Sequence, residues 1–394
     1  MFALGTRPEV IKLAPVILRF KESSRFAVNV CSTGQHREML AQAFRAFDLE
    51  PDRELGVMTE NQTLADLSSR AIAALDQVFR AENPSLVFVQ GDTTTAMIAA
   101  LGSYYHRIPV AHVEAGLRTN NKFSPFPEEM NRRLIGSIAD MHFAPTPRAR
   151  DNLIREGVSR EAIHITGNTA IDALLLVIEK ERERPLHVET LSGRELGDDD
   201  LAARKLVLVT AHRRENHEAG LTSICAAITR IAELPDAVVI FSVHFNPNVR
   251  ATVIPLLQEC PNVHLTDPLD YVTFARLMQR SYLILTDSGG IQEEAPSLKR
   301  PVLVLRDTTE RQEGLDAGNA LLLGTGTDDI VRAVSRLWND SALYEEMTQV
   351  GNPYGDGHAA ERIFDIASRH LRANADGRPR GELDAGKPDS IPAI

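Results

Sequence analysis

Short apolar runs rich in β-branched and aromatic residues alternate with helix-length segments along nearly the whole chain, and this alternation constrains the fold more than any other feature. Each such run, followed by turn residues and a 3.6-residue apolar period, reads as one βα unit, and units in series build a parallel sheet. In the first half the strand candidates are 28–32, 86–90, 110–114, 141–145 and 163–166, with 1–4 left for a short first strand. A helix over 93–106 follows Gly91-Asp92. The second half repeats the rhythm at 206–210, 238–243, 263–265, 282–286, 301–305 and 320–323. A chain of 394 residues exceeds one core, so the expectation is an α/β fold of two Rossmann-like, doubly wound domains. The first should span 1–168 and the second 169–353, with a long helix over 171–184 leading away from the boundary. The polar stretch 185–205 reads as a surface connection, and 372–394, which loses apolar periodicity, as a disordered tail. Ligands of such domains bind beyond the carboxyl ends of the strands, so the loops there carry the functional weight.

A net charge of −11 argues against a nonspecific nucleic-acid or anionic-membrane surface. An anionic ligand must then meet local Arg and Lys residues. The three cysteines, Cys31, Cys225 and Cys260, have neither metal-like nor redox spacing and fit a reducing compartment. No apolar run is long enough to span a bilayer, and Met1-Phe2-Ala3-Leu4 enters a motif without a signal peptide. The expectation is a soluble cytoplasmic protein with no membrane or nucleic-acid partner.

The run 282–286 leads into Asp287-Ser288-Gly289-Gly290-Ile291-Gln292-Glu293-Glu294, a strand, a glycine turn and a new helix. Residues without bulk let backbone N–H groups close on a ligand where a helix begins, and unpaired N–H groups there suit phosphate. Glu293 and Glu294 can accept hydrogen bonds from hydroxyls, so the pattern fits a nucleotide or nucleotide sugar. Taken alone, this stretch is read first as an ordinary strand-to-helix turn whose acids favour the helix dipole. Gly5-Thr6-Arg7-Pro8-Glu9-Val10-Ile11-Lys12 is a second loop of this type, with Pro8 at the first helical position and Arg7 and Lys12 within reach of a pyrophosphate. Its alternative is a solvated basic helix start.

Carboxylates gather at neighbouring strand ends: Asp92, Glu114 and, at a helix start marked by Pro127, Glu128 with Glu129. Crowded carboxylates repel, which should raise one pKa toward a value suited to proton transfer. His212 and Arg213 follow a strand end in the second half, as do His244 and, beyond Arg306, Arg311. His212 can neutralise phosphate or give a proton to a leaving group. No metal spacing, Walker A loop, G-x-G-x-x-G or nucleophile elbow occurs, so neither a metal nor a bound cofactor is expected.

Taken in register, Gly5–Lys12, Gln35–Leu40, Gly91–Thr95, Val113–Arg118, Pro127–Arg132, Gly167–Thr169, His212–Asn216, Asp287–Pro296 and Asp307–Arg311 closely resemble the bacterial non-hydrolysing UDP-N-acetylglucosamine 2-epimerases. The resemblance runs from Gly5 to about Gly357. It implies a glycosyltransferase-B-like pair of domains with the active site in the interdomain cleft, a helix over about 354–371 returning to the first domain, and a homodimer. It implies reversible epimerisation of UDP-GlcNAc to UDP-ManNAc through a bound glycal, for surface polysaccharide synthesis. By the same resemblance Asp92, Glu114, Glu128 and His212 are the catalytic set. Arg7, Lys12, Phe274, Ser288, Gly289, Gly290, Glu294 and Arg311 would bind UDP, with Phe274 beside the uracil.

Some family members carry a second, activating UDP-GlcNAc site, matched here by Gln35, Gln62, Arg132, Arg213 and His244. Glu38, Asn61 and Leu269 depart from the pattern, which weighs against activation. The nearest rival is an epimerase for a diacetamido UDP-sugar, in which Ala-Arg-Pro-Gln tends to replace Thr6–Glu9. Others are a glycosyltransferase of the same fold, a hydrolysing epimerase and a silent UDP-sugar sensor. Thr6, Glu9, the intact acids and His212 favour the plain epimerase.

Overall fold

The computed structural model describes residues 1–34, 37–59, 62–213, 216 and 219–377. Among them the apolar runs assemble into two parallel sheets. The first holds β1 (Phe2–Leu4), β2 (Val30–Ser32), β3 (Arg53–Glu54), β4 (Val87–Gln90), β5 (Val110–Val113), β6 (Met141–Ala144) and β7 (Ile163–Ile165), in the order β3-β2-β1-β4-β5-β6-β7. After a two-stranded antiparallel pair, β8 (Val188–Glu189) with β9 (Glu195–Leu196), come β10 (Lys205–Thr210), β11 (Ala237–Ser242), β12 (Val263–Thr266), β13 (Leu283–Thr286), β14 (Val302–Val304) and β15 (Ala320–Leu322). These six take the order β12-β11-β10-β13-β14-β15.

The short first strand is sufficient because it lies at the centre. Phe2, Ala3 and Leu4 are all buried, β1 pairs on both sides, and the Phe2 ring stacks on Phe88 at 4.6 Å. A strand buried on both faces gains from every residue, so three suffice. Helices cover both faces of each sheet. One apolar core runs from Leu4 and Phe88 through Leu174 and Val177 of the helix Thr169–Lys180 to Ile284 in the second sheet, so packing joins the domains.

Several expectations are corrected. Within 185–205, read as a plain connection, Leu186, Val188, Leu196 and Leu201 are buried and the β8–β9 pair forms. Isolated apolar residues in a polar stretch gave no period to detect. The exposed edge strand β3 was likewise invisible to apolar patterning. Pro8 is the second residue of the helix Arg7–Lys21, and Thr6 is its N-cap. The boundary helix spans Thr169–Lys180 rather than 171–184, capped by the Asn168 side chain. The last helix spans Ala359–Gly377, so residues 372–377 of the expected tail are helical; 378–394 lie outside the described residues.

In each sheet the strand order reverses at one place, between β1 and β4 in the first and between β10 and β13 in the second. The crevice beyond the carboxyl ends at such a reversal is where open α/β sheets bind ligands. The loops there begin at Gly5, Gly91, Ala211 and Asp287.

Candidate active site

At the first reversal the chain leaves β1 through Gly5, which has no room for a side chain. A methyl group on it would lie 2.2 Å from Thr33 Oγ1 and 2.5 Å from Thr95 Oγ1. The next turn is locked by Glu9, fully buried, whose Oε2 accepts the N–H groups of Gly5 (2.9 Å) and Thr6 (2.7 Å). Its Oε1 accepts the Thr93 hydroxyl at 2.7 Å. One carboxylate thus joins the loop bearing Arg7 to the loop bearing Asp92. Burial pushes the Glu9 carboxyl up to about 7 against the pull of these bonds.

Lys12, on the same helix, forms an ion pair with Glu114 at the end of β5. Burial opposes the ammonium charge, but Glu114 and Glu293 outweigh it and hold the lysine above its ordinary pKa. Gln90 donates to the other Glu114 oxygen, and Glu114 itself has φ +63°. Asp92 is ion-paired with Arg132, and the Asn131 side chain donates to the Asp92 carbonyl at 2.9 Å. Arg132 also meets the buried Glu129, which accepts the N–H groups of Thr119 and Asn120. Glu128 opens the helix Glu128–Ile138, half-buried and without a hydrogen bond or ion pair among the described residues. The crowding expected of these acids is relieved by pairing, since Glu114 and Asp92 each have a cation of their own.

At the second reversal the buried Asp287 organises the loop after β10. Its Oδ2 accepts the backbone N–H groups of His212 and Arg213, both at 2.8 Å, and the Asn216 side chain at 3.0 Å. The His212 ring lies parallel to His244, with centroids 5.2 Å apart. Ser288 stands at the N-cap position of the helix Gly289–Glu294 without a side-chain capping bond, and a methyl group on Gly289 would sit 2.9 Å from Arg311 Cζ. Only a glycine there leaves Arg311 its place. The guanidinium donates to Glu293 Oε1 at 2.9 Å and to Glu310 Oε1 at 2.6 Å. Burial works against its charge, yet Glu293 and Glu310 raise its pKa. Gly290 faces open space. Burial lifts the half-buried Glu294 carboxyl to about 8, with Lys12 and Arg7 opposing and Glu293 adding to the rise. Phe274 packs on the core from the helix Tyr271–Arg280, and Arg7 feels Asp270, Tyr271 and Glu294 across the cleft.

The two halves meet through Asn168. Its Nδ2 donates to Glu293 Oε2 at 2.9 Å and lies 3.5 Å from Glu114 Oε1. A polar chain therefore runs Lys12–Glu114–Asn168–Glu293–Arg311–Glu310 across the domains. Glu293, expected to take ligand hydroxyls, is committed to this bridge instead. The adjoining cleft is lined by Arg118, Thr119, Arg132, Asn168, Glu293 and Arg311, among others.

Of the residues matched to the second site, Gln62, Arg132, Arg213 and His244 lie among the described residues, each with a partner nearby. Arg132 belongs with Asp92, and His244 with His212. Gln62 bonds locally, to Thr59, Met58 and Arg70. Gln35 lies outside the described residues. Glu9, Gln90, Asn168 and Asp287 stood inside the quoted motifs or beside them; the Thr6-x-x-Glu9 spacing is that of a capping box at a helix start. The bonds that tie these residues across the fold go to partners remote in sequence. Among the described residues no cluster of His, Cys, Asp or Glu is arranged to hold a metal ion, and no helix is long and apolar enough to cross a membrane.

Two parallel α/β domains whose strand-order reversals both open onto one cleft define the glycosyltransferase-B-like class. Residues 18–368 match the family model described as UDP-N-acetylglucosamine 2-epimerase. The UDP-N-acetylglucosamine 2-epimerase of Yersinia pestis is 48% identical over 367 residues, covering 93% of this chain and 97% of that one. The Bacillus subtilis enzyme of that name is 46% identical over 366 residues, 93% of each chain. Among solved structures, the Neisseria meningitidis UDP-GlcNAc 2-epimerase bound to UDP-GlcNAc superposes with a TM-score of 0.83 at 42% identity, covering 93% of this chain and 99% of that one. The Methanocaldococcus jannaschii enzyme, in complex with UDP-GlcNAc and UDP, gives 0.74 at 32% identity over 93% and 99%. The chain belongs to the UDP-N-acetylglucosamine 2-epimerase family.

Proposed function

We propose that this protein interconverts UDP-GlcNAc and UDP-ManNAc without hydrolysis. A carboxylate takes the proton from C2; the C2–H electron pair becomes the C1=C2 double bond as the C1–O bond breaks and UDP departs. The glycal stays bound. UDP then adds back at C1 while a proton reaches the opposite face of C2, so atoms and electrons balance with no further reactant.

The observation that carries this reading is the Lys12–Glu114 ion pair at the reversal of the first sheet. A diphosphate arriving between Lys12 and Arg311 competes for those cations. Glu114 then loses its counter-charge, which raises its basicity when substrate is present. Arg7, Ser288, Gly289 and Gly290 complete the diphosphate contacts in this reading, Glu294 holds hydroxyls, and Phe274 flanks the uracil. Asp92 and Glu128 are the remaining proton carriers, and His212 serves the leaving group. Positioning and leaving-group stabilisation must supply much of the catalysis, because C2–H is weakly acidic. The wider reading is a cytoplasmic homodimer supplying ManNAc-type sugars to surface polysaccharides.

A proton NMR time course of UDP-GlcNAc with the purified protein in D2O tests it. UDP-ManNAc should appear, with deuterium at C2 of both epimers and no early release of free sugar. Early free ManNAc with UDP would make the enzyme a hydrolysing one, and an unchanged spectrum would sink the assigned substrate. Asp92→Asn should lower turnover by roughly 100-fold or more.

A further inference from the structure

We propose that Asp287 is a positioning residue of the reaction, fixing His212 as the Nδ1–H tautomer so that Nε2 is the nitrogen that exchanges a proton with the leaving diphosphate. The inference rests on the function proposed above, and its geometry is independent of it. Asp287 is fully buried at the carboxyl end of β13. Its Oδ2 receives three donors, from His212, Arg213 and Asn216. Its Oδ1 is buried without a hydrogen-bond partner among the described residues and lies 3.4 Å from His212 Nδ1. A buried carboxylate oxygen accepts only, and leaving it unmet is costly, so the nitrogen facing it carries the hydrogen.

The neutral ring then has its lone pair at Nε2, which has no partner among the described residues. His244, stacked at an interplanar angle of 15°, confines the ring plane and is itself held where its Nδ1 accepts the Asn246 N–H at 3.1 Å. Among the described residues, the charged and titratable groups facing His212 are Asp287, His244 and Arg213. Burial lowers the pKa of His212, with His244 and Arg213 adding to this and Asp287 opposing it. The imidazole is therefore held oriented, and neutral until the diphosphate charge arrives beside it; a solvent proton then settles at Nε2, Asp287 stabilises the imidazolium, and Nε2 gives that proton to the departing diphosphate oxygen and recovers it when UDP adds back.

Histidine 15N NMR on the full-length protein, with His212 assigned by the loss of its signals in His212→Ala, tests the proposal. The wild type should show His212 as Nδ1–H when neutral. In Asp287→Asn the side-chain oxygen keeps the backbone donors and the amide NH2 faces Nδ1. The tautomer should then switch to Nε2–H, and the His212 titration should move to lower pH as the opposing charge is lost. Turnover should fall roughly 100-fold or more with KM little changed. An Nε2–H tautomer in the wild type overturns the proposal, and that measurement decides even if the variant does not fold. An unchanged tautomer and turnover in a folded Asp287→Asn overturns it as well. A wild type inactive on UDP-GlcNAc would sink the substrate assignment and leave the tautomer result to stand on its own.

Discussion

Glu9 shows how a single side chain can set the loop geometry on which a site depends. Its two oxygens, fully buried, receive the N–H groups of Gly5 and Thr6 and the hydroxyl of Thr93. Burial raises its carboxyl from an ordinary 4.5 to about 7. The folded state therefore keeps a proton that the unfolded chain has already released. Stability from this group is complete at low pH and is lost as pH rises through about 7. Glu9→Gln removes that dependence while keeping an acceptor for the two backbone donors. Denaturant titrations at several pH values should show the variant gaining on the wild type by on the order of 1–3 kcal/mol between about pH 5 and pH 8. Parallel curves would mean that Glu9 ionises normally in the fold. Asp92, Glu114 and His212 were legible as candidates because each stands at a strand end. Glu9 was legible only as the capping-box partner of Thr6; its bond to Thr93, 84 residues away, and that of Asp287 to His212, 75 residues away, were not.

Elements with local signals were readable, and elements without them were not. The strand ends announced the helices through capping residues: Thr6, Thr93 and Asn168 each accept an N–H from the first turn of the helix that follows. The β8–β9 pair has two residues per strand and no period, so only tertiary packing of Val188 and Leu196 makes it a structure. The last helix was expected to be shorter and to return to the first domain, a role read from the family rather than from periodicity. Its Phe364 lies against Phe20 at 4.9 Å and Phe26 at 5.9 Å, with the Arg19 guanidinium 4.6 Å from the ring centroid. That contact docks the helix Ala359–Gly377 on the helix Arg7–Lys21, which carries Arg7 and Lys12. Phe364→Ala should cost about 3–5 kcal/mol of stability, measured by chemical denaturation. A loss below about 1 kcal/mol would show that the helix docks by other contacts.

At the scale of the molecule, the two domains are tied by the chain crossing at Asn168, by the returning segment at Tyr354, and by Glu293. The Asn168 N–H donates to the Tyr354 carbonyl at 2.8 Å, and Asn352 donates to the Glu293 carbonyl at 2.8 Å. The Glu293 carboxylate then bridges Asn168 to Arg311. Deleting it leaves the buried Asn168 amide with only its long 3.5 Å approach to Glu114, and Arg311 with one carboxylate partner fewer. The penalty falls on the interdomain contact more than on either core, since Leu4, Phe88 and Ile284 are untouched. Glu293→Ala should destabilise the protein by about 2–3 kcal/mol and give a larger radius of gyration in small-angle scattering without ligand. UDP should reverse part of the expansion if Lys12 and Arg311 both grip it, because a diphosphate between those cations replaces the missing bridge with its own charge. An unchanged radius would locate the domain tie in the shared apolar core that passes through Leu174 and Val177. An expanded variant that UDP does not compact would show that the two cations do not hold one ligand together.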